Sequence, residues 1–257
     1  MAEQSMILAR AHYRELKDAR YDLAILPWGA TEPHNYHLPY GTDIIESERI
    51  AEESVRIAVR KGARCIALPS VPFGVNTTQL DIPLTINMNP STQMAVLEDV
   101  ASSLEGHGIP KLAILNSHGG NDFKQMIREL QTRHRIFLCS VNWWKTVDLN
   151  EYFKDPGDHA GEMETSVMMH LAPDLVLPLS VAGPGKDRKP KIKGFREGWA
   201  WTPRPWTKVT SDTGAGNPAE ATAEKGKRYL AAVTEKLGAF FAELASVDLN
   251  DLYGEEF

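Results

Sequence analysis

The sequence has little cysteine, and its two cysteines stand in apolar segments. Cys65 lies in RCIALPS and Cys139 in IFLCSVNW, where a cysteine is usually a small buried side chain. Neither segment contains a histidine that would activate a thiol. The sequence therefore predicts neither a disulfide-stabilised secreted protein nor a thiol enzyme, and we expect a cytoplasmic protein.

Long apolar runs and excess positive charge are also missing. No apolar stretch approaches the roughly 20 residues that span a bilayer, and the opening MAEQSMILARAHYREL has no apolar core of signal-peptide type. The formal net charge of −6 gives no reason to expect nucleic-acid binding. We expect the partner to be a small-molecule substrate, with no nucleic acid and no membrane.

Short apolar runs alternate with helical patterns along the chain. The apolar runs predict buried parallel strands at residues 22–30, 64–70, 111–117 and 135–143. Helical spacing predicts helices at residues 45–61, 91–107, 122–133, 161–171 and 218–244. Pro218 suits the first turn of the last helix. The alternation predicts an α/β fold, a single layered domain over residues 1–257 with a central, mostly parallel sheet flanked by helices.

Tryptophans raise the question of a pocket wall. Trp143 and Trp144 follow the fourth predicted strand, where they would either line a pocket or pack in the core. Residues 184–213 are rich in Pro, Gly, Lys, Arg and Trp. They predict an irregular excursion that serves as a lid or as a subunit contact.

Polar residues crowd the ends of two predicted strands. Glu32, His34, His37 and Asp43 follow the first strand in TEPHNYHLPYGTD, and His118 follows the third in NSHGGND. Ligands of open α/β sheets bind beyond the carboxyl ends of the strands, so both loops should emerge on one edge. Imidazole with carboxylate suits Zn, Mn or Fe better than Ca. The residues thus indicate either a metal site or polar surface loops, and this pattern alone does not separate the two.

A third polar cluster, DHAGEMETS, covers residues 158–166. Acidic residues are favourable at a helix N-terminus, so the cluster alone is weak evidence for a site. Glu162 and Glu164 stand two apart on a predicted helix and should point to different faces. We expect at most one of them to face a site, with the other solvated or in a supporting position.

Together the three clusters resemble the motifs of the creatininase (creatinine amidohydrolase) family. GATEPHNYHLPYGTD resembles G-x-x-E-x-H-x-x-H-L-P-x-x-T-D, NSHGGN resembles N-x-H-G-G-N, and HAGEMETS resembles H-A-G-x-x-E-T-S, in the family order. The resemblance implies a layered α/β domain and a homo-oligomer, commonly a hexamer. It also implies two divalent metal ions, zinc first, with manganese or iron as alternatives.

The family pattern implies a role for each motif residue. Glu32 and His118 would hold one metal, and His34 and Glu164 the other, with Asp43 bridging the two ions. His159 matches the histidine with an acid/base role. His37 would orient a ligand from behind.

Some positions depart from the family pattern. Gly119 and Gly120 stand where creatininase itself has a tyrosine and a glutamate, which argues against creatinine as the substrate. Asn76 and Gln79 stand nearest to a serine and a histidine of many relatives. Candidates for supporting or substrate-binding positions are Asn76, Asn121, Asp122, Trp143 and Trp144.

The predicted function is metal-dependent hydrolysis of a non-peptide amide or cyclic amide C–N bond. A divalent ion lowers the pKa of a bound water from about 15.7 to about 7, and His159 would move the proton to the leaving nitrogen. Hydrolysis of a ring ketone in a cyclitol or carbohydrate derivative is an alternative on the same site. A metal-binding or ligand-binding protein without turnover is a second alternative.

Overall fold

The computed structural model describes residues 6–254. Its strands form one parallel sheet in the order β2–β1–β3–β4. The strands are β1 (Leu23–Trp28), β2 (Cys65–Ala67), β3 (Lys111–Asn116) and β4 (Phe137–Asn142). The helices are α1 (Tyr13–Leu16), α2 (Thr42–Arg60), α3 (Pro90–Gly106), α4 (Lys124–Leu130), α5 (Glu162–Leu171), α6 (Lys193–Arg196), α7 (Trp206–Val209) and α8 (Ala223–Ser246). The predicted parallel α/β sheet is confirmed.

The central strands are buried on both faces. Every residue of β1 and β3 is buried, as their unbroken apolar runs predict for strands covered on two sides. Successive residues of β1 pack on opposite faces of the sheet, because side chains alternate along a strand. Leu23 and Ile25 belong to the core shared with α2 and α8, whereas Leu26 and Trp28 belong to the core shared with α3 and α4.

Pro27 sits inside a central strand, where proline is normally excluded because it lacks an N–H. Its carbonyl still accepts a hydrogen bond from Val71 N at 3.0 Å. The regular ladder with β2 ends at Ala67, and pairing on that side resumes only at the isolated bridge between Trp28 and Val71. The short partner strand explains how proline is tolerated there.

The last long helix begins later than predicted. Pro218 lies in a separate 3₁₀ turn, Pro218–Glu220, and not in the first turn of α8. Thr222 caps α8 instead, with its Oγ1 accepting a hydrogen bond from Lys225 N at 3.3 Å. The hydroxyl of Thr222 thus accepts from one of the backbone N–H groups that the start of a helix leaves without a backbone partner. The predicted helix start at Pro218 was therefore wrong, because α8 begins five residues later, at Ala223.

No helix within residues 6–254 combines the length and the apolar character that a membrane crossing requires.

Candidate metal centre and active site

The candidate ligands gather at the carboxyl edge of β1 and β3. The register pairs Trp28 with Asn116 at the ends of these strands, so the chain segments that follow leave the sheet side by side. Glu32 and His34 come from the first segment and His118 from the second. The prediction that both histidine-bearing loops emerge on one edge is confirmed.

Asp43 lies in the first turn of α2, which begins at Thr42 and not at the predicted residue 45. The start of this helix packs tightly against the end of β1. A Cβ on Gly29 would lie 2.8 Å from the backbone N of Ile44 and 2.9 Å from the carbonyl oxygen of Asp43. Only glycine at position 29 permits this approach, which brings Asp43 to the sheet edge.

Five donor side chains converge in two groups that share Asp43. These groups are Glu32–Asp43–His118 and His34–Asp43–Glu164, and a third group, Glu32–His34–His159, does not include Asp43. In each group the donor atoms lie within 4.8 Å of one another. Asp43 Oδ1 lies 3.0 Å from His34 Nε2, and Asp43 Oδ2 lies 3.1 Å from His118 Nδ1. His118 Nδ1 is also 2.8 Å from Glu32 Oε1. Each oxygen of Asp43 therefore faces a different group.

Burial and mutual attraction dominate the electrostatics of these donors. Burial would lower the pKa of His34, but the Asp43 carboxylate outweighs it and raises that pKa to about 10. Burial would also lower the pKa of His118, but the Glu32 carboxylate outweighs it and raises that pKa well above its usual value. Burial raises the pKa of Glu164. Without a cation, histidine protons have to neutralise the carboxylates.

The donor set fits divalent cations. Three carboxylates and two imidazoles meet in a largely buried space, where unbalanced negative charge is costly. Asp43 Oδ2 is buried from water and, apart from its 3.1 Å contact with His118 Nδ1, has no hydrogen-bond partner within residues 6–254. Mixed histidine and carboxylate donors are those that zinc, manganese and iron accept.

His159 lies beside the donors, with its ring centroid 4.1 Å from that of His34. Its Nε2 is 2.8 Å from the carbonyl oxygen of Pro33. Because a carbonyl only accepts, Nε2 carries the proton and Nδ1 keeps a free lone pair. Nδ1 faces the donors, 3.8 Å from Glu32 Oε1.

His37 lies behind the donors and touches none of them through a hydrogen bond. Its Nε2 is 2.9 Å from Thr165 Oγ1, beside Glu164 on α5. Burial lowers the pKa of His37 to about 4, with the neighbouring His34 as the second cause. His37 is thus a neutral ring that joins the first loop to α5.

The two glutamates of α5 face different surroundings, as their spacing predicts. Glu164 joins the donors, and its Oε2 accepts a hydrogen bond from Ala160 N. Glu162 is buried and not solvated: it binds Lys225 Nζ at 2.7 Å and accepts the backbone N–H of Asp155 at 3.0 Å. Glu162 therefore fixes the start of α5 against α8.

The remaining polar candidates support loops. Asn121 Oδ1 accepts from Val75 N at 3.0 Å, and the Val75 carbonyl lies 3.1 Å from His118 Nε2. Asn76 donates to the carbonyl of Ile86 at 3.1 Å and is not among the residues that line the cavity described next. Asp122 is exposed at the cavity edge and accepts from Lys124 N at 3.1 Å.

A cavity of about 750 Å³ opens above the donors. We call the five donors and His159 the cavity floor, and residues 199–206 of the excursion the outer wall. Trp143 and Trp144 line the cavity, as does Trp201 of the outer wall. Trp143 is also fixed by a 2.8 Å hydrogen bond from its Nε1 to Ser117 Oγ.

Three residues near the floor were not among the predicted site residues. Trp206 packs edge-on against His159, with centroids 5.4 Å apart. Gln79 Nε2 donates to Glu32 Oε2. Glu46 is fully buried, and burial, reinforced by Glu164 and Asp43, raises its pKa well above the usual value. Glu46 had a sequence signal, because it follows Asp43 by three residues on a helix, and Gln79 had one in its place in the loop after the second strand, whereas Trp206 had none.

The thiols are not candidates for catalysis. Burial raises the pKa of Cys65 and of Cys139 to about 12, so neither forms a thiolate near neutral pH.

Solved structures share this fold. A Bacteroides fragilis protein with the provisional name creatinine amidohydrolase is 47% identical, covers 96% of this chain and 98% of its own, and has a TM-score of 0.90. A creatininase variant named as a Zn–Zn type is 20% identical at a TM-score of 0.75, with 94% and 99% covered. A manganese creatininase is 20% identical, also with a TM-score of 0.75 and coverages of 94% and 99%.

Curated relatives have several activities in their names. Creatinine amidohydrolase of Pseudomonas putida is 26% identical, with 80% of this chain and 83% of that protein covered. A mycofactocin precursor peptide peptidase of Mycobacterium ulcerans is 26% identical, with 82% and 81% covered. The 3-dehydro-scyllo-inosose hydrolase of Thermotoga maritima is 27% identical, with 60% and 52% covered.

A family model described as "Creatininase: Creatinine amidohydrolase" matches residues 8–241. The match takes in the cavity floor, all four strands of the sheet and the whole excursion. The chain therefore belongs to the creatininase family.

Proposed function

We propose that the protein is a metal-dependent hydrolase of a non-peptide amide or cyclic amide C–N bond. The observation that carries the proposal is the pair of donor groups joined through Asp43 at the bottom of a cavity of about 750 Å³. A cavity of this size suits a small-molecule substrate. The creatinine amidohydrolase of Pseudomonas putida acts, by its name, on such a bond.

Two divalent ions are the proposed cofactors, with zinc first and manganese or iron as alternatives. Glu32 and His118 would hold one ion, His34 and Glu164 the other, and Asp43 both. Bound there, the ions would lower the pKa of a water and polarise the substrate carbonyl. The shared Asp43 would keep the two sites in a fixed relation.

His159 is the proposed acid and base. The Pro33 carbonyl holds its Nε2–H, so the lone pair of Nδ1 is directed to the floor. Nδ1 would take a proton from the attacking water and return it to the leaving nitrogen, which is a poor leaving group until protonated. Trp206 packs against the ring and limits its rotation.

Ring-ketone hydrolysis is the second candidate function. The similarity to 3-dehydro-scyllo-inosose hydrolase favours it. The same floor would serve either bond, because both reactions begin with attack of water on a carbonyl. A binding protein without turnover has less support, since it would have no need of His159 beside the donors.

A homo-oligomer, a hexamer by family resemblance, is also proposed for this single-domain chain, in the cytoplasm. Large apolar side chains stay exposed in one protomer, among them Leu80, Leu84 and Trp199. Such side chains are typical of subunit contacts when they cluster. Light scattering of the purified protein would give the subunit number.

Metal analysis followed by a substrate screen tests the function. The purified chain should contain up to two equivalents of Zn, Mn or Fe, and a panel of creatinine, formamides, lactams and keto-inositols should be tested with and without a chelator. Release of ammonia, amine or formate, abolished by the chelator, supports amide hydrolysis. Acid production without nitrogen release supports the second candidate, and bound metal without turnover of any compound contradicts both.

A further inference from the structure

Gln79 is a buried amide that lines the cavity and has no part in the mechanism above. Its side chain is 5% exposed. It belongs to the loop after β2, where Gln79 N donates to the carbonyl of Asn76 at 3.0 Å. Its Nε2 donates to Glu32 Oε2, and its Oε1 has no hydrogen-bond partner in the part of the chain that the structure describes.

The chemistry of the contact sets the orientation of the amide. A carboxylate only accepts hydrogen bonds, so the NH₂ group of Gln79 must face Glu32 and the carbonyl oxygen must face away. Gln79 Oε1 is therefore a buried acceptor without a hydrogen-bond partner among residues 6–254, in a side chain that lines the cavity.

The same contact assigns different tasks to the two oxygens of Glu32. Oε2 is held by Gln79, while Oε1 lies 2.8 Å from His118 Nδ1. Glu32 can then offer only Oε1 to the group it shares with His118 and Asp43. An outer hydrogen bond of this kind orients a metal ligand.

We propose that Gln79 is a positioning residue for Glu32 and that its free carbonyl oxygen accepts a hydrogen bond from an N–H of the substrate. The inference rests on the proposed function and narrows the substrate class to primary amides and N-unsubstituted cyclic amides. A buried acceptor without a partner is unfavourable, so a ligand with a donor at this position binds more tightly than its N-alkylated counterpart.

Asn76 provides a matched control. It stands in the same loop, is 1% exposed, and also has an amide oxygen without a partner. Its NH₂ group, however, donates to the main-chain carbonyl of Ile86, and Asn76 does not line the cavity. A loss of function that came only from weakening the loop would appear in an Asn76 variant as well.

The first test measures metal affinity and needs no substrate. Zn²⁺ and Mn²⁺ binding should be titrated against a competing chelator in the wild-type chain, Gln79→Met and Asn76→Leu. We expect Gln79→Met to bind one of two ions about 10- to 100-fold more weakly, and Asn76→Leu to lower the melting temperature without changing either affinity. Equal affinities in Gln79→Met and wild type, or equal losses in both variants, would overturn the positioning role.

The second test isolates the acceptor. Acetohydroxamic acid and its N-methyl derivative differ at the N–H, and both are probes for metal-loaded protein. Wild type should prefer the N–H form by about three- to tenfold more than Gln79→Met does, the size expected of one neutral hydrogen bond. An unchanged preference in Gln79→Met would overturn the acceptor role.

Gln79→His is a rescue variant that guards against misfolding. A neutral histidine has one N–H donor and one acceptor nitrogen, so it can replace both functions of the Gln79 amide. We expect its metal affinity and its preference for the N–H probe to recover towards wild type; a metal affinity as low as in Gln79→Met would contradict the positioning role, and a preference as low as in Gln79→Met would contradict the acceptor role. If wild type itself binds no metal, the proposed function fails as well, whereas normal metal binding with an unaffected Gln79→Met defeats this inference alone.

Discussion

The cavity floor and the outer wall are built in contrasting ways. Floor residues lie in the segments that follow β1 and β3, in the first turns of α2 and α5, or just before α5, and most are buried. The outer wall comes from an irregular segment in which Trp199 and Trp201 are 76% and 83% exposed. Rigid elements fix donor positions more precisely than loops do.

The floor and the outer wall determine different properties of the enzyme. The floor, which holds charge and donor geometry, sets the kind of bond that can be cleaved. The outer wall has few contacts with the sheet and can vary without disturbing the donors, so it bears on substrate choice. Trp206 links the outer wall to the floor, because its ring packs against His159 with centroids 5.4 Å apart, and Arg204 of the wall stacks on Trp206 at 4.9 Å.

Loss of Asp43 should break the floor most completely. In Asp43→Ala both donor groups lose the shared carboxylate, so at least one equivalent of metal should be lost and turnover should fall below detection. Elemental analysis and an activity assay would check this. Asp22→Ala is the control, because Asp22 pairs with Arg64 at the opposite end of β1. Full metal occupancy in Asp43→Ala would refute the bridging role.

Loss of His159 should separate catalysis from metal binding within the floor. His159→Ala keeps all five donors, so we expect normal metal content with turnover lower by about 10²- to 10⁴-fold. The exposed His170 on α5 offers a control substitution, His170→Ala, that should change neither property. Turnover at the wild-type rate in His159→Ala would exclude an acid/base role.

The sequence was most informative where function depends on local spacing. Glu32, His34 and Asp43 were recognisable because motif spacing places them at the end of one buried strand. Gln79 and Trp206 were not, because their contacts join residues 47 positions apart along the chain in one case and a different loop in the other. Those contacts depend on how irregular segments fold over the sheet, which neither periodicity nor turn chemistry specifies.

Helix boundaries show the same limit. The start of α2 was predicted three residues late because the capping signal of Gly41 is weak: no side chain caps the helix. The solvated option for Glu162 failed for a tertiary reason, since its partner Lys225 comes from α8. Local sequence patterns predicted the strands, the helices and the metal donors, whereas contacts between distant segments determined the surroundings of residues such as Glu162.

The stability that His37 contributes from behind the cavity floor should be lost with acid over a defined pH range. The pKa of His37 is lowered to about 4 in the folded chain, against about 6.5 when unfolded. The unfolded chain therefore binds the proton first, and stability from neutral His37 is present above pH 6.5 and is lost as the pH falls to about 4. The loss would be about 3 kcal/mol at most.

His37→Gln isolates this effect from the other titrating groups. Urea unfolding of metal-free wild type and variant should be compared from pH 8 to pH 4. The difference between their unfolding free energies should shift in favour of the variant across the window and stay constant above it. Parallel curves for the two proteins would show that His37 titrates normally.

The smallest expected effect comes from a substitution in the outer wall, Trp201→Ala, which tests whether the wall affects substrate binding alone. Trp201 lines the cavity, whereas Trp199, equally exposed and two residues away, does not. Trp201→Ala should raise KM for a hydrolysed substrate by about two- to tenfold, the worth of one aromatic contact, with metal content and kcat unchanged. Trp199→Ala should change none of these. A fall in kcat or metal content in Trp201→Ala would mean that the wall shapes the floor, and the division between chemistry and substrate choice would fail.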